Sequence, residues 1–253
     1  SDEVGDVLSS RAELNKMFNA PVFDFPKPTS LIRYLIKFRE PQVYDVILDF
    51  FAGSGTTAHA VMAQNAEDKG NRKWICVQLP EPTSEKSVAY KEGYKNIADI
   101  SKDRIRKAIE TYGGGFKVFK LTESNYPENQ FEFDTEKNEE ENKKSFADYL
   151  AKAKQAKLFD DTKSVDVVYE NVVKEGFSLN SKISETKLGK NKVYVVSDGE
   201  RRLLVCLDKK IDDKTVSELT SKDYKGKIFI CLDSAIDDSA KANLGLNVEL
   251  KTI

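Results

Sequence analysis

An α/β fold is the class this sequence predicts, and three observations predict it. Between residues 46 and 121, apolar runs and helical patterns follow one another as strand, helix, strand, helix, strand, the order of a parallel sheet covered by helices. A tight glycine turn, Phe51 to Gly55, joins the first of these strands to its helix. Near the C-terminus, LLVCLDKKIDD (203–213) and IFICLDSAIDD (228–238) share Cys-Leu-Asp-x-x-Ile-Asp-Asp at a spacing of 25. Two copies are too few for a solenoid, so they read as similar β-α units of a smaller second α/β domain.

The elements follow in order. Ser10 and Glu13 have capping-box spacing ahead of an amphipathic stretch through Leu14, Met17 and Phe18. In FDFPKPTSLIRYLIKFREP, Pro28 suits a first helical turn. Leu31, Ile32, Leu35, Ile36 and Phe38 form its apolar face, and Pro41 marks its stop. Val46 to Phe50 read as a buried strand and Thr56 to Asn65 as a helix; KWICVQLPEP is a second strand ended by Pro80 and Pro82. Ile97, Ile100, Ile105, Ala108 and Ile109 recur at helical spacing before three glycines, and FKVFKL reads as a third strand. Residues 128–144 are charge-rich with few core formers, a linker or solvated excursion. Helical patterns resume at about Phe146–Phe159 and Val165–Lys174, and Leu246–Leu250 offers a closing strand. The predicted organisation is therefore 1–127, a charged linker and helix at 128–163, and a C-terminal α/β domain at 164–253.

A length of 253 residues is ample for a core without metal or disulfide staples. Charged residues reach 32%, yet 40 Lys+Arg against 42 Asp+Glu leave a net charge of −2, which excludes a globally basic nucleic-acid coat but not a local patch. Cys76, Cys206 and Cys231 are odd in number and lack CxxC spacing, which fits a reducing compartment and excludes a cysteine-built zinc cluster. No apolar run approaches the roughly 18 residues of a membrane span, and SDEVGDVLSS lacks a basic-then-apolar leader pattern. The expectation is a soluble cytoplasmic protein with no membrane partner and no metal site.

Asp49 to Thr57 is the most informative stretch. Glycines at the carboxyl end of a strand allow close approach to the backbone and turn the next helix's amides toward an anion. No Lys follows Gly55, so this is not a phosphate-binding Walker loop; it does fit Gly-x-Gly-x-x-Ala, which raises a dinucleotide site beside the plain reading of a strand-to-helix turn. Elsewhere the plainer reading prevails. His59, the single histidine, reads as packing or surface, and Trp74 and Phe116 as core or sheet-face residues rather than stacking platforms. Asp208 and Asp233 end consecutive strands and read as helix caps rather than ligands. Lys102, Arg104, Arg106 and Lys107 read as a solvated helix face rather than phosphate contacts, and Lys152, Lys154 and Lys157 as a modest basic stripe.

Taken together, FPKPTSLI, FAGSGTTAHA, NAEDKGNRKWICVQLPEP, DISKDRIRKAI and GFKVFKLTESNY resemble the S-adenosyl-L-methionine (AdoMet) half of the amino-methylating DNA methyltransferases. The likeness is to the modification subunit of type III restriction–modification systems, strong over about residues 12–131 and weaker around the CLD segments. It implies a partial Rossmann-like AdoMet-dependent methyltransferase sheet in residues 1–127, with the C-terminal domain serving assembly. It places Phe51, Gly53 and Gly55 along the methionine part of AdoMet and Asp49 near its amino group. The amides of Thr56 and Thr57 would meet the carboxylate, which Lys27, Thr29 and Ser30 would approach from the other side. Relatives hold the ribose with an acid at the end of the second strand; here Gln78 stands at that position, and Glu81, three residues on, is favoured over it.

The catalytic motif of the family, (Asp/Asn/Ser)-Pro-Pro-(Tyr/Phe/Trp), is absent, since no Pro-Pro occurs in the chain. In the modification-subunit order that motif lies upstream of the lysine-proline motif, so the chain reads as the C-terminal part of a longer protein, inactive alone and without catalytic residues of its own. The resemblance implies adenine-N6 methylation of DNA by the full-length enzyme, a restriction (helicase–nuclease) subunit as partner, and homodimerisation. A sheet shared with a missing half would leave the strand at Val46–Phe50 with an unpaired apolar edge, covered by self-association or by the N-terminal or linker segment. A nicotinamide-dependent oxidoreductase and a non-catalytic interaction module are the alternatives; the first lacks a well-placed ribose acid.

Overall fold

The computed structural model describes residues 5–38, 44–126, 133–155 and 164–253. The chain is mixed α/β and divides into two units, Ser1–Lys117 and Val118–Ile253.

In the first unit, α1 (Val7–Phe18) starts earlier than its Ser10–Glu13 spacing suggests. Asp6 is the N-cap and closes a capping box with Ser9, which leaves Ser10 and Glu13 inside the helix. The Ser10 hydroxyl instead donates to the Pro26 carbonyl at 2.8 Å, and Glu13 turns toward the start of the next helix. That helix, α2 (Thr29–Phe38), begins directly after Pro28, whose carbonyl accepts its first turn's bond from the Ile32 N–H. The expected stop at Pro41 lies outside the described residues.

Strand β1 (Val46–Asp49) leads through the glycine turn into α3 (Thr56–Asp68), and β2 (Lys73–Cys76) returns parallel to β1 with Val46 opposite Lys73 and Asp49 opposite Cys76. A parallel pair needs a crossover, and α3 supplies it. Small residues such as Ala58, Ala60 and Ala63 let α3 be buried continuously from Thr56 to Gln64. The short α4 (Val88–Lys91) precedes α5 (Ile97–Tyr112), which Asn96 caps and Gly113 ends. Ala58, Met62, Ile105 and Ala108 form the core between α3 and α5, with Trp74, Cys76 and Phe116 packed against it.

The expectation of a buried β1 holds for one face only. Ile47, Trp74 and Cys76 are half-buried on the helix side, whereas Val46, Leu48, Phe50, Ile75, Val77 and Leu79 are exposed on the other. The alternation follows from the two-residue period of a strand with helices packed on a single side. Among the described residues, no strand pairs with the second edge of β1. FKVFKL forms no strand: Phe116 packs its ring 5.9 Å from Trp74 instead of entering the sheet, and Phe119 meets Tyr169 edge-on at 5.1 Å.

The second unit opens with α6 (Glu139–Gln155) and α7 (Ser164–Lys174). The former starts seven residues ahead of the expected Phe146. Asn138 and Glu141 exchange backbone and side-chain bonds as a capping box, and three glutamates occupy the favourable first turn. The end of that expected helix, 156–159, lies outside the described residues, as do the side chains of Lys152, Lys154 and Lys157.

Strands β3 (Lys182–Leu188), β4 (Asn191–Asp198) and β5 (Arg201–Cys206) form an antiparallel meander, and β6 (Ile228–Cys231) and β7 (Glu249–Thr252) extend it in parallel. The first two strands of that meander carry no expectation from the sequence, although VYVV is a continuous β-branched and aromatic run after a Gly189-Lys190 turn. Between the parallel strands run α8 (Asp213–Leu219) and α9 (Asp238–Gly245). These helices bury one face of the sheet around Leu204, Leu219, Phe229 and Leu244. On the other face α7 contributes Val168 and Val172 against Val196, Leu203 and Ile230.

The 25-residue repeat is visible in the register, because Leu203 lies opposite Ile228 and Cys206 opposite Cys231. The caps are not Asp208 and Asp233 but the aspartates four residues on. Asp212 accepts from the Thr215 N–H and Asp237 from the Ala240 N–H. Asp208 instead accepts from Asn191 Nδ2 and the Lys192 N–H, and Asp233 pairs with Lys241 at 2.8 Å. The closing strand is β7, three residues beyond the start expected at Leu246, which ends α9.

Candidate functional site

The glycine turn at the carboxyl end of β1 is held from three sides. Asp49 stands at the strand end and accepts from the Phe51 N–H through Oδ1 (3.0 Å) and from the Thr57 hydroxyl through Oδ2 (2.5 Å). Gln78, just past β2, accepts the Gly53 N–H at 2.7 Å. The Ser101 hydroxyl of α5 donates to the Gly53 carbonyl. Gly53 and Gly55 take φ of 53° and 79°, in the left-handed region that glycine enters without a Cβ penalty. A Cβ on Gly55 would also lie 3.1 Å from the Ser101 carbonyl oxygen, so any side chain here adds crowding to backbone strain.

Helix α3 starts at Gly55 with no side-chain cap, and its first intrahelical bond runs from His59 N–H to Gly55 C=O. The amides of Thr56 and Thr57 therefore lack intrahelical acceptors, an arrangement suited to an anionic group, while the Ala58 amide donates to the Cys76 sulfur. Phe51 stands at the turn with 88% of its surface exposed. Burial, and then the Asp49 carboxylate, push the neighbouring Cys76 thiol up to about 12, which keeps it protonated and inert.

Beneath the turn lies a buried charged knot centred on Arg104 of α5, which is 0% exposed. Its Nη1 donates to Ser54 Oγ (3.0 Å) and Thr56 Oγ1 (2.7 Å), and its Nη2 to Thr29 Oγ1 (3.2 Å). Nε donates to His59 Nδ1 at 3.4 Å, and the Glu13 carboxylate lies 3.7 Å from Nη2. The Thr29 hydroxyl in turn donates to Glu13 at 2.7 Å. Burial lowers the guanidinium to about 10, opposed by Glu13, so it stays charged at neutral pH. His59 is pulled down to about 4, first by burial and then by the Arg104 charge, so it is a neutral acceptor in this knot.

These contacts bring the lysine-proline motif and the glycine turn together, since Thr29 and Thr56 bond one guanidinium. They also correct the reading of Arg104 as part of a solvated face. Lys102 pairs with Asp99 at the surface and Arg106 is exposed, but Arg104 falls on the stripe of Ile100, Ser101 and Ala108 and goes inward. That i+4 spacing from Ile100 is the signal that would have found it; Glu13 carried no such signal. Of the remaining candidates, Lys27 and Glu81 are exposed and Ser30 is half-buried; none of the three joins the hydrogen bonds just described. Gln78 is engaged by the turn itself. Among the described residues, no group of three His, Cys, Asp or Glu could hold a metal, and no helix is long and apolar enough to cross a membrane.

Residues 2–91 match the family described as DNA methylase. The chain is 44% identical over 106 residues to the type III restriction-modification enzyme StyLTI Mod subunit of Salmonella typhimurium, covering 42% of this chain and 16% of that protein. It is 51% identical over 77 residues to the EcoP15I Mod subunit of Escherichia coli, 30% of this chain and 12% of that one. To the type II methyltransferase M.KpnI of Klebsiella pneumoniae it is 40% identical over 101 residues, 40% of this chain and 24% of that one. The matched stretch thus spans less than a quarter of the length of each of these relatives. Over residues 2–91, which carry the lysine-proline segment and the glycine turn, the chain is similar to the DNA methylases, and part of it is similar to a portion of the type III modification subunits.

Proposed function

We propose that the first unit is the AdoMet-binding half of a Rossmann-like methyltransferase domain, and that the full-length protein methylates adenine N6 in DNA. The observation that carries this reading is the uncapped start of α3 at the end of β1, fixed against the lysine-proline segment through Arg104. The donor set fits a zwitterionic ligand: free helix amides and Lys27 suit a carboxylate, and the Asp49 carboxylate suits an ammonium group. AdoMet, when bound, supplies the methyl group from its sulfonium centre. The chain's own residues bind and orient: Phe51 offers an exposed ring to the methionine part, Gly53 and Gly55 permit close approach, and Thr56, Thr57, Lys27, Thr29 and Ser30 surround the carboxylate position. Gln78 keeps the turn in shape through Gly53, which favours Glu81 for the ribose hydroxyls.

The missing acceptor-side motif and the exposed face of β1 and β2 go together in this proposal. The apolar side chains of that face are the kind a second half-domain covers, and the open edge of β1 is where its strands would pair. The fragment is then inactive alone, and the second unit serves assembly. By likeness to the modification subunits, duplex DNA, a restriction subunit and a second copy of the protein are its partners, in the cytoplasm.

Parallel calorimetric titration of the 253-residue chain with AdoMet and with NAD tests the reading. Weak AdoMet binding without NAD binding is the expected result, because half of the pocket wall is absent. An NAD signal without an AdoMet signal overturns the assignment in favour of an oxidoreductase.

A further inference from the structure

We propose that Arg104 is a positioning residue for the carboxylate end of the cofactor pocket, an inference that rests on the AdoMet reading. Ser54 and Thr56 flank Gly55, and both hydroxyls accept from the same guanidinium nitrogen. A planar fork with fixed donors sets where the turn ends and where the first amides of α3 point. The second nitrogen holds Thr29, two residues from Lys27 and one from Ser30, so one side chain sets both walls of the carboxylate position.

Removing a guanidinium from water is costly, and neutral hydroxyls would satisfy its hydrogen bonds without neutralising it. Glu13 is the carboxylate within ion-pair distance among the described residues, at 3.7 Å and shared with the Thr29 hydroxyl. A cation beneath the uncapped helix start adds to the positive end of the helix dipole at the place where an anion would sit.

The test compares two ligands on the full chain. AdoMet carries the carboxylate; 5′-methylthioadenosine shares its adenosine and sulfur but has no amino-acid part. With Arg104→Gln the affinity for AdoMet should fall about tenfold, the scale of a lost charged hydrogen bond, while that for methylthioadenosine stays within about twofold. Arg104→Lys, which keeps the charge and loses the fork, should fall between the two. Ser54→Ala, which removes a single hydroxyl and leaves the guanidinium in place, should show the same selective pattern at about threefold. If Arg104→Gln loses its circular dichroism signal, Ser54→Ala decides. Equal loss of both ligands, or no loss of AdoMet affinity, overturns the inference while leaving the cofactor reading in place. Binding of neither ligand by the unsubstituted chain overturns both.

Discussion

Gln78 holds Gly53: the side-chain carbonyl of the residue two past β2 accepts the glycine N–H at 2.7 Å, joining the ends of both strands of the first sheet. Its amide group donates to the Leu79 carbonyl, so both halves of the side chain are committed. Gln78→Ala should lower stability in urea by about 1 kcal/mol, the usual cost of leaving a partly buried N–H without its acceptor. Gln78→Glu, which keeps an acceptor oxygen, should recover most of that loss at neutral pH. Equal midpoints for Gln78→Ala and the unsubstituted chain would show that the turn stands without this bond.

His59 makes the first unit sensitive to acid. Its folded value of about 4 lies below the ordinary 6.5, because burial and then the Arg104 charge disfavour the imidazolium. Between these values the unfolded chain binds a proton that the folded chain refuses, so the contribution is complete above pH 6.5 and is lost as pH falls toward 4. At about 1.4 kcal/mol per unit the loss reaches roughly 3 kcal/mol. Denaturant midpoints across pH 7 to 4, with His59→Gln as the control, measure it; the variant should show a flatter profile.

The exposed sheet face should govern solution behaviour rather than stability. Replacing Leu48, Ile75 and Val77 by threonine keeps β-branched or strand-compatible side chains at exposed sites. The triple variant should bind less anilinonaphthalene sulfonate and sediment as a smaller species, with its melting temperature unchanged within about 2 °C. A large drop in melting temperature would mean that the face is packed in solution.

The two caps of the repeat are unequal. Asp237 accepts the Ala240 N–H, while Asp212 accepts the Thr215 N–H and also the Lys190 N–H of the β3–β4 turn at 2.7 Å. Asp212→Ala should therefore lower the melting temperature more than Asp237→Ala, since it loosens a helix start and a hairpin together. Scanning calorimetry of both variants ranks them.

Local signals wrote much of this structure plainly into the sequence. Glycines before a helical pattern marked the turn after β1, and a repeated octapeptide marked two strands that prove to lie side by side in register. The open edge of β1 was expected only through the family resemblance, whereas the exposure of its outer face was not, since Val46–Phe50 read as a buried strand. What escaped depends on partners distant in sequence. Arg104 looked solvent-facing among Lys102, Asp103 and Arg106, and the partners that hold it inside, Glu13, Thr29, Ser54, Thr56 and His59, all lie far upstream. FKVFKL has strand-like residues, yet Trp74 and Tyr169 recruit its aromatic rings. Asp208 looked like a helix cap because the asparagine it serves, Asn191, lies 17 residues upstream.

The outer face of β1 and β2 has a consequence for how variation in this protein is to be weighed. Val46, Leu48 and Phe50 stand exposed, so a survey scoring abundance of this chain should tolerate their replacement better than that of a buried neighbour such as Ala58. On the proposed reading, selection on the longer protein would see the opposite, and sites tolerant here but constrained there would outline the surface that covers that sheet.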